Sequence, residues 1–432
     1  MTTLRSTRPA ETVTASSDSR IEKSVLPGGV RVVTEQMPDT RSVTVGFWVG
    51  VGGRDEAESL SGASHFLEHL LFKGSERRAA REIAESVDAV GGEMNAFTAR
   101  EHTAFYARLP ERELGFALEL LAEVVSSPAL RASEVDAERE VILEEILSAE
   151  DTPEDRVHQA LAEALFPGHP LGREVLGGRG SIEAMARDDI AAFHHDQYRP
   201  ANLVVAAAGR LDHDDVVGRI DGFLDGGPHG TKPVRVAPPP DPAPLTVVHR
   251  PTEQAHVAIG WRAFGQDDPD RYALALLNHV LGGGMSSRLF QEVREQRGLV
   301  YSIYSFSSLY ADAGALTVYA GTAPSKVEEV LGLIDAEVGR LLDSGITGRE
   351  REVALGYLEG SFVLGLEDSG SRMARIGKSE VSRGEIVAVD QHLALLKAVT
   401  TDDVARVGRR ILGQPRTLAA LGPFDESQFA AG

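Results

Sequence analysis

The acidic pair Asp188-Asp189, then Ile190, a helical stretch, Tyr198-Arg199-Pro200 and the apolar run Leu203–Gly209 has an echo late in the chain. There the order is Asp402-Asp403-Val404, a helical stretch, Gln414-Pro415-Arg416 and Thr417–Gly422. The step from Asp188 to Asp402 is the same, to within one position, as the step from Pro200 to Pro415. A period this long, about half the chain, marks duplicated domains, not a solenoid of short units. The starts match more loosely: Ser42–Val49 and residues 255–261 both alternate toward a buried strand, and each leads into a helix. At 432 residues the chain also exceeds what one hydrophobic core supports.

Residues 226–244 are dense in Gly and Pro and carry no periodic core pattern, so they read as an extended, semi-rigid linker. The expected organisation is a tail over 1–20, a first domain over 21–225, the linker over 226–244 and a second domain over 245–432. Amphipathic helical patterns at 114–125 and 327–342, mixed with strands, indicate α+β halves with helices packed on sheets. Spacing does not say whether each sheet is antiparallel. The tail is rich in Ser, Thr and Arg and lacks the apolar core of a secretion signal. Glu11 and Asp18 count against a transit peptide, and disorder is the expectation.

No apolar run approaches a membrane span; the best, 203–208, reads as a buried strand. With no cysteine, disulfides, thiolate metal ligands and a Cys nucleophile are excluded. The net charge of −21 argues against general nucleic-acid binding and favours basic or neutral partners.

Chemistry concentrates in residues 62–74, Gly-Ala-Ser-His-Phe-Leu-Glu-His-Leu-Leu-Phe-Lys-Gly, where His65, Glu68 and His69 form an H-x-x-E-H signature. Residues at i and i+4 share a helix face, so His65 and His69 can present two imidazoles to one metal ion. This is the inverted zincin arrangement, with Glu68 as general base. Ser61 or Ser64 is placed to cap the helix start, and Gly74 suits the position past its end. A polar cluster needs no metal, but Phe66, Leu67, Leu70, Leu71 and Phe72 frame the trio as a packed helix that can hold ligands.

Two His leave a catalytic zinc short of a third ligand, commonly a carboxylate. Residues 133–150 form a strongly helical stretch in which Glu138, Ile142 and Glu145 fall along one stripe. Carboxylates interrupting an apolar stripe are costly to bury unless paired or metal-bound. Glu140 and Glu144 fit a solvated face. Spacing alone leaves Glu145 equally open as ligand or surface residue.

His65-Phe66-Leu67-Glu68-His69, followed well downstream by Glu145 within Glu-Arg-Glu-Val-Ile-Leu-Glu-Glu-Ile, resembles the M16 (pitrilysin or insulinase) metallopeptidases. The similarity is to the half-length branch of bacterial and mitochondrial processing peptidases. It implies two homologous α+β domains forming half of a clamshell, and one Zn2+ per chain on His65, His69 and Glu145. Glu68 would be the base and Glu138 an acidic residue orienting the site. Residues 91–98 resemble the family's edge strand, which implies that Asn95, Ala96 and Phe97 bind extended substrate.

In the second half, Gly282-Gly283-Gly284 precedes a helix containing Arg288, Arg294 and Arg297, then Gly298-Leu299-Val300-Tyr301. The Gly-rich loop lacks the Lys-Ser/Thr spacing of a phosphate loop. Arg294 and Tyr301 match the pair that M16 enzymes bring to the cleft from a distant domain, in half-length members from the partner subunit. The implied assembly is a homodimer with an enclosed chamber acting on peptides. Glu154 and Asp155 lie near where processing peptidases hold a basic substrate residue. Arg outnumbers Lys, as in GC-rich bacterial genomes, and the implied compartment is the bacterial cytoplasm more than the mitochondrial matrix. Related chains also serve as non-catalytic scaffold or peptide-binding subunits, usually with a damaged metal motif; here every position is filled.

Overall fold

The computed structural model describes residues 11–14, 20–224 and 230–429, the first segment by its backbone alone. Among these residues the strands form two sheets. The first contains β1 (Glu11–Thr14), β2 (Arg20–Val25), β3 (Arg31–Gln36), β4 (Ser42–Val49), β5 (Glu93–Thr98), β6 (Thr103–Pro110) and β7 (Leu203–Gly209), in the order β1-β2-β3-β7-β4-β6-β5. The second contains β8 (Leu245–His249), β9 (Ala255–Ala263), β10 (Val300–Leu309), β11 (Gly314–Thr322) and β12 (Thr417–Gly422), in the order β10-β11-β9-β12-β8.

Taken from its other edge, the second sheet repeats the first: β8-β12-β9-β11-β10 matches β3-β7-β4-β6-β5. The parallel pairs correspond too, β8 with β12 and β3 with β7, and the remaining pairs are antiparallel. The duplication expected from the echo of Asp188–Gly209 in Asp402–Gly422 is thus present strand by strand. It places β5 and β10 at corresponding edges. β4 and β7 lie inside the sheet with nearly every residue buried, which is why they read as near-continuous apolar runs.

The chain divides into two compact units, which are not the linear halves 21–225 and 245–432. One takes the chain up to Ile146, then Glu174–Arg235 and Val363–His392; the other takes Leu147–Arg173, Val236–Phe362 and the chain from Leu393 onward. In the first unit, one sheet face buries a core that includes Phe47, Phe66, Leu70, Phe105, Leu118 and Leu121. The other face, bearing Trp48, Val204, Ala206 and Ala208, packs against Met373 and Ile376 of a helix from the late chain, Ser369–Arg383. Glu35 on β3, fully buried, is held there by Arg372 at 2.8 Å and Arg375 at 2.9 Å.

The second unit mirrors this with a helix from the early chain. Pro153–Leu165 lays Val157, Ala160, Leu161 and Leu165 against Ala258, Tyr319, Ala419 and Leu421. The step from Pro153 to Ser369, where the two loaned helices start, nearly equals the step from Asp188 to Asp402. Each copy donates the same helix to the other's sheet.

Of the tail expected to be disordered, residues 1–10 and 15–19 lie outside the described residues. Glu11–Thr14 departs from that expectation: it pairs antiparallel with β2. Within the expected linker, residues 226–229 lie outside the described residues, and 230–244 contain no helix or strand.

Candidate metal centre

The H-x-x-E-H segment forms α1 (Ala63–Leu71), buried along Phe66, Leu67, Leu70 and Leu71. Its start differs from the serine cap expected. Gly62 is the cap, with φ of 95°, and neither Ser61 nor Ser64 caps it with a side-chain hydrogen bond. The orphan amides are met by Glu56, whose Oε2 accepts from Gly62 N and Oε1 from Ser64 N, both at 2.7 Å. A carboxylate there also complements the helix dipole. The helix ends at Leu71, and Gly74 lies beyond its cap Phe72, at φ of 122°.

The third candidate ligand arrives on the helix Ala132–Asp151, whose buried residues include Glu138, Ile142 and Ile146. Glu145 Oε2 lies 3.6 Å from His65 Nε2 and 3.6 Å from His69 Nε2. These three donors are within 4.8 Å of one another, the only such group of three or more His, Asp or Glu found among the described residues. Ligands at zinc's ~2.0–2.1 Å in a tetrahedron stand about 3.3 Å apart. The donor set and its spacing therefore fit a zinc-type ion.

Burial, and secondarily the neighbouring His69, pushes His65 down to about 4. It is neutral at physiological pH, the form a metal ligand needs. His69 donates Nδ1–H to Glu138 Oε2 at 3.1 Å, which directs its Nε2 lone pair toward the Glu145 carboxylate. The other oxygen of Glu138 pairs with Lys73 Nζ at 2.7 Å. Lys73 went unread in the sequence, although it stands four residues after His69. Glu140 and Glu144 are exposed, as a solvated face requires.

Glu68 sits beside the trio, and Thr98 donates its hydroxyl hydrogen to Glu68 Oε2 at 2.6 Å. Burial raises the Glu68 carboxyl above the ordinary range, and the Thr98 hydrogen bond partly offsets this. Thr98 ends β5, the sheet-edge strand. Side chains alternate along a strand, so Ala96 shares the face of Thr98 while Asn95 and Phe97 point the other way. Phe97 packs edge-on to Trp48 at 5.6 Å, and Asn95 Oδ1 accepts from the Ala96 amide at 2.8 Å.

The second unit carries the remaining candidates. Arg294 lies in a π-helical turn, Phe290–Gln296, with its guanidinium 5.7 Å from the Tyr301 ring centre. Tyr301 occupies a β-bulge, where the register skips from Val300↔Thr322 to Ser302↔Gly321, and is 82% exposed. Both irregularities are of the kind that re-aim side chains at functional sites. Glu154 accepts from Tyr304 Oη at 2.6 Å, and that oxygen lies 2.9 Å from His158 Nε2; Asp155 is exposed. In the second unit the helix Arg271–Leu281, which follows β9 as α1 follows β4, carries His279 but no H-x-x-E-H signature.

Residues 31–179 match the sequence profile described as insulinase (peptidase family M16), and residues 184–355 the one described as peptidase M16 inactive domain. An uncharacterized zinc protease of Streptomyces coelicolor is 45% identical over 416 residues, 94% of this chain and 91% of that protein. One from Bacillus subtilis is 36% identical over 403 residues, 93% of this chain and 98% of that protein. The fold is shared with a Helicobacter pylori protease at a TM-score of 0.85 and 24% identity, over 97% of this chain and all of that one. A peptidase M16 inactive domain from Pseudomonas fluorescens superposes at 0.86 with 21% identity, over 97% and 98% of the two chains.

Proposed function

The chain belongs to the insulinase (M16) peptidase family, and from that membership we propose that it is a zinc-dependent endopeptidase that hydrolyses peptides or unfolded segments. The observation that carries this is the convergence of His65, His69 and Glu145 with the Glu68 carboxylate beside them. A zinc ion on those three side chains would supply Lewis acidity toward the scissile carbonyl and lower the pKa of a water.

The side chains do the rest. Glu68 is held through Oε2 by Thr98, which directs Oε1 to accept the attacking water's proton and deliver it to the leaving amine. A base raised above the usual carboxylate range is better matched to that transfer near neutral pH. Glu138 and Lys73 keep His69 in one tautomer. Substrate adds as an extended strand at the β5 edge along Asn95, Ala96 and Phe97, so that backbone hydrogen bonds give affinity with little sequence preference. Arg294 and Tyr301 act on the cleft of a partner copy in a homodimer enclosing a chamber, anchoring the substrate backbone and the developing oxyanion. Glu154 and Asp155 favour peptides with Arg or Lys.

The Glu68→Gln variant tests the reading: it should abolish peptide cleavage while retaining metal and peptide. Unchanged behaviour would instead identify a peptide-binding or scaffold subunit. Mixing inactive Glu68→Gln and Tyr301→Phe chains should restore activity if the pair acts in trans. No recovery despite subunit exchange rejects that arrangement.

A further inference from the structure

We propose that Arg235, in the stretch without helix or strand after the first sheet, is a positioning residue that fastens the segment leading into the helix of His65, Glu68 and His69 to the turn behind Thr98, the threonine that holds Glu68. The inference rests on the metal-site reading for its purpose but on separate contacts for its geometry.

Arg235 is a hub. Its Nε and Nη2 donate to Asp55 Oδ1 and Oδ2 at 2.9 and 2.8 Å, a bidentate pair on a carboxylate whose side chain is 1% exposed. Nη2 also donates to the Glu101 carbonyl at 2.7 Å and the Gly50 carbonyl at 3.3 Å. Asp55 directly precedes Glu56, the carboxylate that caps α1. Glu101 lies in the turn between β5 and β6, three residues after Thr98. One guanidinium therefore grips Asp55, the neighbour of the carboxylate that anchors the helix bearing His65, Glu68 and His69, and the turn behind the threonine that holds Glu68.

The two segments are built to touch. Gly53 N donates to the Ala99 carbonyl at 3.2 Å and Arg54 N to the Arg100 carbonyl at 2.7 Å. Arg54 Nη1 reaches Glu101 Oε1 at 2.6 Å. A Cβ on Gly52 would meet the Ala99 carbonyl oxygen at 2.2 Å, so any side chain there forces the segments apart. The Asp55 carboxylate is buried, so removing the guanidinium strands an uncompensated charge, which costs far more there than at a surface. Lysine cannot reproduce a fork, which separates geometry from charge in the test.

The experiment compares wild type with Arg235→Gln, Arg235→Lys and Arg372→Met. Arg372 is a buried ion-pair partner elsewhere in the same unit, outside this hub. Two readouts are used below the melting temperature of every variant: Zn2+ affinity by chelator competition, with Co2+ absorption for ligand geometry, and amide hydrogen exchange in metal-free protein. Arg235→Gln and Arg235→Lys should weaken Zn2+ binding by about tenfold and alter the Co2+ bands, in the range of outer-shell changes. Both should also lose exchange protection at 62–66 and 99–102 together. Arg372→Met should lower thermal stability with neither change. Unaltered protection at both segments in Arg235→Gln overturns the proposal, as does an equal loss in Arg372→Met. If wild type binds no metal while the paired exchange effect is present, the metal-site reading fails and the clasp stands.

Discussion

Thr98 and Glu68, remote from each other in sequence, meet through a 2.6 Å hydrogen bond from the threonine hydroxyl to Oε2. The strand-edge residue thus engages one carboxylate oxygen of the candidate base and leaves Oε1 outside that hydrogen bond. Thr98→Val keeps the shape and removes the donor. Since a hydrogen bond to the charged form lowers a carboxyl's pKa, its loss should raise Glu68 further and move the acidic limb of the pH–rate profile to higher pH. With positioning lost as well, kcat/KM should fall by roughly tenfold at neutral pH while metal content is unchanged. Steady-state kinetics across pH with metal analysis on the same samples checks both halves.

Glu138 joins His69 to Lys73 through its two oxygens. Glu138→Gln should weaken metal binding by about 10- to 100-fold, the usual cost of removing an outer-shell carboxylate. Lys73→Met should weaken it in the same direction but less, because the His69 hydrogen bond survives. Competition with a chromophoric chelator ranks the two.

Glu35 lies fully buried between Arg372 and Arg375. Removing one partner of a buried ion pair typically costs ~3–5 kcal/mol, and the second arginine keeps the loss in Arg372→Met toward the lower end. Denaturant unfolding should show a clearly lowered midpoint. A midpoint equal to wild type would mean that Arg372 adds nothing to what Arg375, Met373 and Ile376 already hold.

Acid sensitivity of the second unit should centre partly on Asp270. Hydrogen bonds from Arg406, and then Arg410, hold its carboxyl below the ordinary 3.8. A depressed folded-state pKa contributes stability that is complete above the unfolded value and is lost as pH falls through the folded one. Asp270→Asn should therefore lower stability at neutral pH and flatten the fall below pH ~4. The arginines are about half exposed, so screening holds the effect to about 1 kcal/mol or less. Thermal melts from pH 7 to 2 report it.

Periodicity made α1, the Glu138–Ile142–Glu145 stripe and strands β4, β7, β9 and β12 legible, because each writes its buried face into local spacing. What stayed unread depends on partners remote in sequence. Glu56 as cap, Thr98 against Glu68 and Arg235 against Asp55 have no mutual spacing to betray them. Ser61 and Ser64 suggested a cap by residue type, yet Gly62 at φ of 95° and the Glu56 carboxylate do that work. The helices at 153–165 and 369–383 each bury an apolar face, but a local apolar stripe does not say which sheet covers it. Arg294 and Tyr301 were found by resemblance; a π-turn and a bulge leave little local signal.

The loaned helices also impose a schedule on synthesis. The last strand of the first sheet ends at Gly209, while the helix covering its Trp48–Val204–Ala206 face begins only at Ser369, after most of the second sheet has been made. At ~5–20 residues per second that face waits roughly 8 to 32 s for its cover. The order of elements along the chain, more than final stability, therefore sets how long this apolar surface stays bare to neighbouring chains, and slowing translation between Gly209 and Ser369 should raise aggregation of a protein whose folded state is untouched.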